Sequence, residues 1–410
     1  MNQADKNFRL GVLHEGLWGA GQGFFTLATI LSLALVDLGR DASTAGLLAA
    51  VFISGITLPQ AFSALTLSPR TTDPKPLAWA HLPAISGVLL AGLGFALTSP
   101  ESNDLRVYFL FGGFGVFAVG VGVVVPHWVS FIGRTMQPSR RGRYFGTSFF
   151  ASGLAGTFTG WLASRWASEG GLHWGYALCF FSAVPFLLAS VVVLTFMKPL
   201  VRRPAPPPPN ALRNSFRLLR EKLAERGPFR SFVMVAVLMV LSACCSNLFT
   251  VYLRNEAHVE ASWFQVFTPV LTLGGMAGAY LLGHLADHKG VRAAYAIALV
   301  SGLLTLALIG FFKTPLLNAL GFACLGCLIN AFPVINSVVN LNLAGRGQTS
   351  IHTGFFNTLM GPWYFFAPLF AGWMAAHVGY GWAFGFSATA GLAAFWFLLK
   401  NPDLDDKNKK

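Results

Sequence analysis

The sequence predicts an all-α integral membrane protein, with twelve transmembrane helices in two pseudo-symmetric six-helix bundles. Three observations predict it. Hydrophobic residues make up 54% of the 410 positions and charged residues only 11%, against roughly a quarter charged in soluble globular chains. Twelve runs are apolar over about 20 residues, the length that crosses the hydrocarbon core of a bilayer. The two halves of the chain also share short matches at a constant offset.

In order, the runs are Leu10–Val36, Ala45–Leu67, Leu77–Leu97, Val107–Ile132, Tyr144–Trp166, Gly175–Met197, Phe229–Leu253, Trp263–Leu285, Val291–Phe312, Pro315–Leu343, Thr349–His377 and Trp382–Leu399. An even number of spans puts both termini on one side, and lysine and arginine say which. The termini and the even-numbered loops hold 24 of the 29 basic residues; the other face keeps Arg40, Arg106, Arg165, Arg254 and Lys313. Both termini are therefore expected in the cytoplasm, in a plasma (bacterial inner) membrane. The net charge of +13 then reflects topology and calls for no nucleic-acid partner. The polar start MNQADKNFR lacks the features of a cleaved signal peptide, so the first span is expected to be retained. Cys179, Cys244, Cys245, Cys324 and Cys327 all fall inside spans and do not read as an extracellular disulfide framework.

The domain organisation follows from one long connection. Residues 1–197 form the first bundle, 198–228 a cytoplasmic linker, 229–400 the second bundle and 401–410 a cytoplasmic tail. The linker carries the polyproline run RRPAPPPPN, a stiff spacer, and then ALRNSFRLLREKLAERG. There Leu212, Phe216, Leu219 and Leu223 keep helical spacing while Arg213, Arg217, Arg220 and Lys222 fall mostly on the other face. That pattern fits a helix on the anionic inner leaflet or a solvated cytoplasmic helix.

The halves resemble each other weakly. Arg141-Gly142 recurs as Arg346-Gly347, and Phe181-Ser182-Ala183 as Phe386-Ser387-Ala388, both 205 residues apart. Two parallel repeats about a midplane site is a transporter plan.

The stretch GHLADHKGVR between the eighth and ninth spans matches the signature G-x-L-A-D-x-x-G-x-R at Gly283, Leu285, Ala286, Asp287, Gly290 and Arg292. On these residues, the span count, the linker and the repeat, the chain resembles the major facilitator superfamily. In that family the signature is a short cytoplasmic turn that bears on gating. Gly283 allows close helix approach, Gly290 a tight reversal, and Asp287 sits at the membrane boundary. Arg141 and Gly142, after the fourth span, resemble the family's other cytoplasmic turn. The equivalent first-half stretch, LSPRTTDPKPLA, departs from the glycine-aspartate-glycine pattern, so the latch of the first half is expected to differ. A turn kept only for folding and topology remains the alternative for both.

The resemblance implies that the first, fourth, seventh and tenth spans line a central cavity. On the first, Gly11, Glu15, Trp18, Gln22, Phe25 and Thr29 follow helical spacing. The fourth offers Phe114, Phe117, His127 and Trp128; the seventh Asn247 and Tyr252; the tenth Asn330, Asn336 and Asn340. Intramembrane amides also serve as interhelical hydrogen-bond glue. Of the 16 acidic residues only Glu15 falls within the membrane, which makes it the default candidate for proton coupling. His127 is its expected partner, since imidazole titrates near neutral pH. A structural carboxylate tied to His14 is the competing reading.

No lysine or arginine falls in a predicted membrane core, which argues against strongly anionic substrates. The expected cargo is a small neutral, amphipathic or cationic organic solute carried by alternating access, with protons as co-substrate and a lean toward efflux. Proton-coupled uptake of a sugar-like solute is the alternative, and a transport-inactive sensor or scaffold is the rival from another class. No enzyme constellation emerges and no cofactor or metal is expected, although the cysteine pairs of the seventh and tenth spans could in principle hold a soft ion.

Overall fold

The computed structural model describes residues 2–67, 69–99, 101–137, 140–201, 217, 220, 221, 223, 224, 227–343 and 349–401. The side chains of residues 69, 70, 141, 142, 228, 287, 331–334, 337–343 and 349–353 lie outside the description. The polyproline run also lies outside it. Of the amphipathic linker segment, residues 217, 220, 221, 223 and 224 are described and helical, with Arg217 Nε 3.9 Å from Glu221 Oε1.

The described residues form helices and no strand, as an apolar solvent requires of an open chain whose backbone polar groups must be satisfied internally. Eight runs are long and apolar enough to cross a membrane: Gln3–Asp37, Ala42–Thr66, Pro74–Leu97, Asn103–Thr135, Gly171–Thr195, Ala261–Ala286, Val291–Phe311 and Tyr380–Lys400. The helices Arg141–Glu169, Pro315–Leu343 and Thr349–His377, and the broken pair Pro228–Ser242 and Leu248–Asn255, complete the twelve. The fold is therefore all-α, with six spans in each half.

Within the first half, glycine sets the packing. A Cβ on Gly11 would stand 2.5 Å from the Tyr144 ring, on Gly19 2.1 Å from Ser152 Oγ and on Gly23 2.1 Å from Thr159 Oγ1. These glycines share a four-residue spacing whose one other place is Glu15, and they give the first span a flat side on which the fifth span lies backbone to backbone. Lipid tails provide no hydrophobic drive between helices, so this close approach is what holds the pair together. The register is parallel, one turn of the first span against one of the fifth.

Two spans are broken in corresponding places. In the first, the helix ends at Gly23, Thr26 takes an extended conformation, and a π-helical turn at Leu27–Leu31 restarts it, closed by a Ser32 Oγ to Leu27 O bond of 2.8 Å. In the seventh, Ala243 to Asn247 separate two helices, and Ser387 Oγ donates 2.5 Å to the buried Ser242 carbonyl at the end of the first. Such interruptions survive at membrane depth only where neighbours or a wet cavity satisfy the freed groups.

The halves meet along two lateral seams. The fifth span faces the eighth through Ser164 to Thr268 at 2.7 Å and Thr157 to Thr272 at 3.0 Å. The second faces the eleventh, where Gly46 and Gly372 approach so closely that a Cβ on Gly46 would lie 2.9 Å from the Gly372 Cα. Toward the face that carries the termini, the Asn357 amide donates 2.9 Å to Gln60. Toward the other face, Asn247 donates 2.7 Å to Ala45 O and Thr250 donates 2.6 Å to Ala28 O, so the broken first and seventh spans are tied there.

Candidate functional site

Glu15 lies on the first span, 8% exposed, with Oε1 3.4 Å from His14 Nε2. Asn7 marks the membrane boundary: its amide donates to Thr135 O at 3.0 Å and Lys198 O at 2.7 Å, the ends of the fourth and sixth spans. Eight residues of helix put Glu15 about 12 Å deeper. His14 is itself fixed, since Ser190 Oγ on the sixth span lies 2.7 Å from its Nδ1 and donates 2.9 Å to its carbonyl. The structure thus gives Glu15 a neighbouring imidazole from its own helix. His127 is turned elsewhere, with Nε2 3.1 Å from Ser63 Oγ on the second span.

Two turns above Glu15 and nearly on its face, Gln22 is exposed at the middle of the bundle. Helical rotation of about 100° per residue sets Gln22 between Trp18, which stacks on Phe117 of the fourth span, and Gly19, which meets Ser152 of the fifth. The amide therefore looks into the wedge between the fourth and fifth spans. Trp18 is half-buried and also meets the His81 ring edge-on at 5.5 Å. Phe25 is 2% exposed, wedged between Phe114 at 5.2 Å and Phe117 at 5.0 Å, and Phe52 completes this aromatic wall. Trp128 is half-buried against Phe145 at 6.3 Å, nearer the terminal face.

The second half treats its candidates differently. Asn330 is exposed on the tenth span, packed over Gly275, and donates to Gly326 O at 3.2 Å. Asn336 points to the ninth span, where it accepts a hydrogen bond from Tyr295. Asn247 is committed to Ala45 O. Tyr252 packs on Tyr380 and Phe384 of the twelfth span, each at 5.3 Å. The Asn340 side chain lies outside the described residues. The cysteine pairs do not converge: Cys245 donates to Ala383 O on the twelfth span at 3.4 Å, while Cys327 accepts from Ser301 on the ninth at 3.7 Å.

At the turns, Gly290 has φ 94° and ψ 163°, a conformation open to glycine and strained for other residues, which explains its place in the reversal. Gly283 is half-buried. Arg292 donates to Leu398 O at 3.2 Å and Leu399 O at 3.1 Å, closing the carbonyl end of the twelfth span. Asp287 and the side chains of Arg141 and Gly142 lie outside the description, although the fifth helix begins at Arg141. In the first half, Arg134 holds the corresponding turn. It donates to Thr72 O at 3.1 Å, Thr72 Oγ1 at 2.7 Å and Val201 O at 3.3 Å, and lies 3.4 Å from Asp73.

Sequence reasoning missed His81 and Ser190, which meet His14, and Tyr144, whose hydroxyl lies beside Gly11 one turn from Glu15. His81 was findable as another ionisable residue inside a span. The hydroxyls were not, because nothing in the sequence fixes the rotation of one helix against another.

Comparison with known proteins identifies the architecture. A sequence profile described as the Major Facilitator Superfamily matches residues 16–364. The chain belongs to that superfamily. It is a multi-pass membrane transporter, not an enzyme. No curated protein sequence matches it. Among solved structures, it is similar to the xylose transporter XylE from E. coli in a partially occluded inward-open conformation, at 14% identity and TM-score 0.69 over 100% of both chains. It is also similar to a D323A mutant of the nucleoside transporter NupG, at 15% identity and TM-score 0.67 over 97% of this chain and 100% of that one. An auto-inhibited POT family peptide transporter follows at 11% identity and TM-score 0.66, over 98% and 99%. At these identities the likeness shows the fold.

Proposed function

We propose that this facilitator is a secondary carrier for a small neutral, amphipathic or cationic organic solute, coupled to protons through Glu15. The observation that carries the reading is a buried carboxylate about two turns below an exposed amide on one face of the first span. Solute meeting Gln22 and Trp18 would sense the charge of Glu15 along the same helix, and an ionised carboxylate at that depth is costly enough to exchange a proton. The cavity-side polar groups recorded here, Gln22 and Asn330, are amides, which suits a neutral or weakly polar cargo.

In this reading the bundles 1–197 and 229–400 rock about the site on the spans two–eleven and five–eight seams. Both termini face the cytoplasm of a bacterial inner membrane, following the excess of lysine and arginine on that side. Aromatic lining and the lack of an ionic anchor favour export, while the solved sugar and nucleoside transporters of the same fold support uptake as the second reading.

Proteoliposomes with a trapped pH-sensitive dye test it. Wild type should show substrate-dependent proton movement across a panel of neutral, cationic and amphipathic compounds, its sign separating symport from antiport, and Glu15→Gln should abolish it. Transport by Glu15→Gln with an unchanged response to a proton gradient would sink the coupling role. A silent panel for wild type would favour a non-transporting sensor.

A further inference from the structure

Two enclosed hydroxyls on the fifth span face each other, and neither makes a well-formed hydrogen bond. Tyr144 Oη and Ser148 Oγ belong to side chains that are 0% exposed, and neither oxygen has a partner in full hydrogen-bond geometry, the polar group in reach of each being the other hydroxyl. Leaving a buried hydroxyl unpaired is unfavourable, so native structures rarely do so without a function.

The helix register says what these oxygens face. Along the first span, Gly11 meets Tyr144, Gly19 meets Ser152 and Gly23 meets Thr159 and Gly156. Glu15 stands midway between Gly11 and Gly19, and Ser148 midway between Tyr144 and Ser152, so the carboxylate in the glycine row is opposite the turn of the fifth span that carries the two hydroxyls. The Tyr144 Oη would lie 3.0 Å from a Cβ on Gly11, one turn along the same face from Glu15. The two hydroxyls lie within hydrogen-bonding reach of one another. Its ring is braced by Phe8 at 6.1 Å and Phe145 at 5.3 Å, so the hydroxyl is held in place by packing.

We infer that Tyr144 and Ser148 form a two-hydroxyl cradle for the ionised Glu15, turned to each other in this structure and toward the carboxylate when the carboxyl loses its proton. The step balances simply. The O–H bond of the Glu15 carboxyl breaks, its electron pair stays on the carboxylate, the proton leaves to water, and the two hydroxyls then donate to the new anion. Because Gly11 and Gly19 let the helices lie in backbone contact, drawing both hydroxyls onto Glu15 shifts the first span against the fifth. Proton loss is thereby converted into a change of packing within the first bundle. This deepens the proton-coupling reading and rests on it. The other ionisable groups near the site are His14, 3.4 Å from Glu15 on its own helix, and His81 of the third span, whose ring centroid is 6.4 Å from that of His14. Neither belongs to the fifth span.

Infrared difference spectroscopy of the full chain in bilayers tests the cradle directly. The protonated-carboxyl band of Glu15 is assigned by its loss in Glu15→Gln, and its titration midpoint is measured in wild type, Tyr144→Phe and Ser148→Ala. Donors to the ionised form favour that form, so losing one favours the protonated form. Each variant should therefore move the midpoint to higher pH, by about one unit or a tenfold rise in proton affinity. The double variant should move it further. Tyr144→Phe keeps the braced ring and Ser148→Ala keeps the close helix contact, so both should fold. Unmoved midpoints, or a Glu15 band that never titrates, would overturn the cradle. Shifted midpoints together with proton-coupled transport by Glu15→Gln would instead keep the cradle and remove the coupling role of Glu15.

Discussion

Glu15 Oε1 lies 3.4 Å from Nε2 of His14, the residue before it in the chain. Successive helical side chains diverge by about 100°, so this contact requires the imidazole to be steered back toward its neighbour. Ser190 does the steering by fixing the other ring nitrogen at 2.7 Å and the His14 carbonyl at 2.9 Å. The carboxylate is thus oriented, through His14, from the sixth span.

Ser190→Ala should therefore disturb Glu15 without touching it. It removes two buried hydrogen bonds to His14, each worth roughly 0.5–1.5 kcal/mol net. The expected outcome is a modest fall in thermal stability with a larger change in the pH profile of substrate-driven proton flux, while Ser190→Thr restores much of both. A stability loss with an unaltered pH profile would reduce Ser190 to a packing residue.

Close contact between the first and fifth spans predicts a sharp contrast among glycines. Gly19→Ala places a methyl 2.1 Å from Ser152 Oγ and 2.5 Å from the Ser152 carbonyl oxygen, where backbone has to move. Overpacking of this kind costs about 1–3 kcal/mol. Gly146→Ala, on the fifth span with no atom within 4 Å, should be neutral or slightly stabilising because alanine prefers the helix. Unfolding in detergent by steric trapping or chemical denaturant should separate the two; equal effects would refute the packing assigned to the glycine row.

Arg134 carries the first-half turn in place of the missing glycine-aspartate-glycine pattern. Its guanidinium serves Thr72, Asp73 and Val201 together while only 8% exposed. Arg134→Ala removes the guanidinium that joins these groups and should cost on the order of 3 kcal/mol. Arg134→Lys should recover only part, because a single ammonium cannot reproduce the planar fork. Thermal shift of the purified carrier reads both, and full rescue by lysine would argue against the forked geometry.

How far the sequence could be read depended on whether a feature lives within one helix. Span count follows from composition, and the alignment of Glu15, Trp18 and Gln22 on a common face from a 3.6-residue period; the structure supplies the helices for all twelve spans. The breaks at Thr26 and at Ala243 to Asn247 were hidden, because no proline interrupts GQGFFT or ACCSN and the interruptions are held by partners from other spans. His127 was expected beside Glu15 because their depths match. Depth leaves rotation free, and the imidazole turns to Ser63, while His14 takes the nearer place. Asn247 and Asn336, expected to line the cavity, bond to Ala45 and Tyr295, since an intramembrane amide bonds to whichever polar group its face presents.

Bonds from Asn247 to Ala45 O and from Thr250 to Ala28 O fasten the halves on the face away from the termini. Both donors reach backbone carbonyls, so side-chain changes on the first half cannot remove the acceptors, and the seal is controlled from the seventh span. Removing either donor forfeits about 1 kcal/mol, and removing both shifts the equilibrium between closed and open forms of that face by roughly one to two powers of ten. Spin labels at Ser99 and His258, exposed residues of opposite halves on that face, report the separation. The Asn247→Ala, Thr250→Val double variant should move the distance distribution toward a longer population that is minor in wild type. The five native cysteines are buried or half-buried, which leaves the introduced sites as the reactive ones. An unchanged distribution would mean that the lateral seams, Ser164 to Thr268 and Gly46 to Gly372, set the closed state without help from the broken spans.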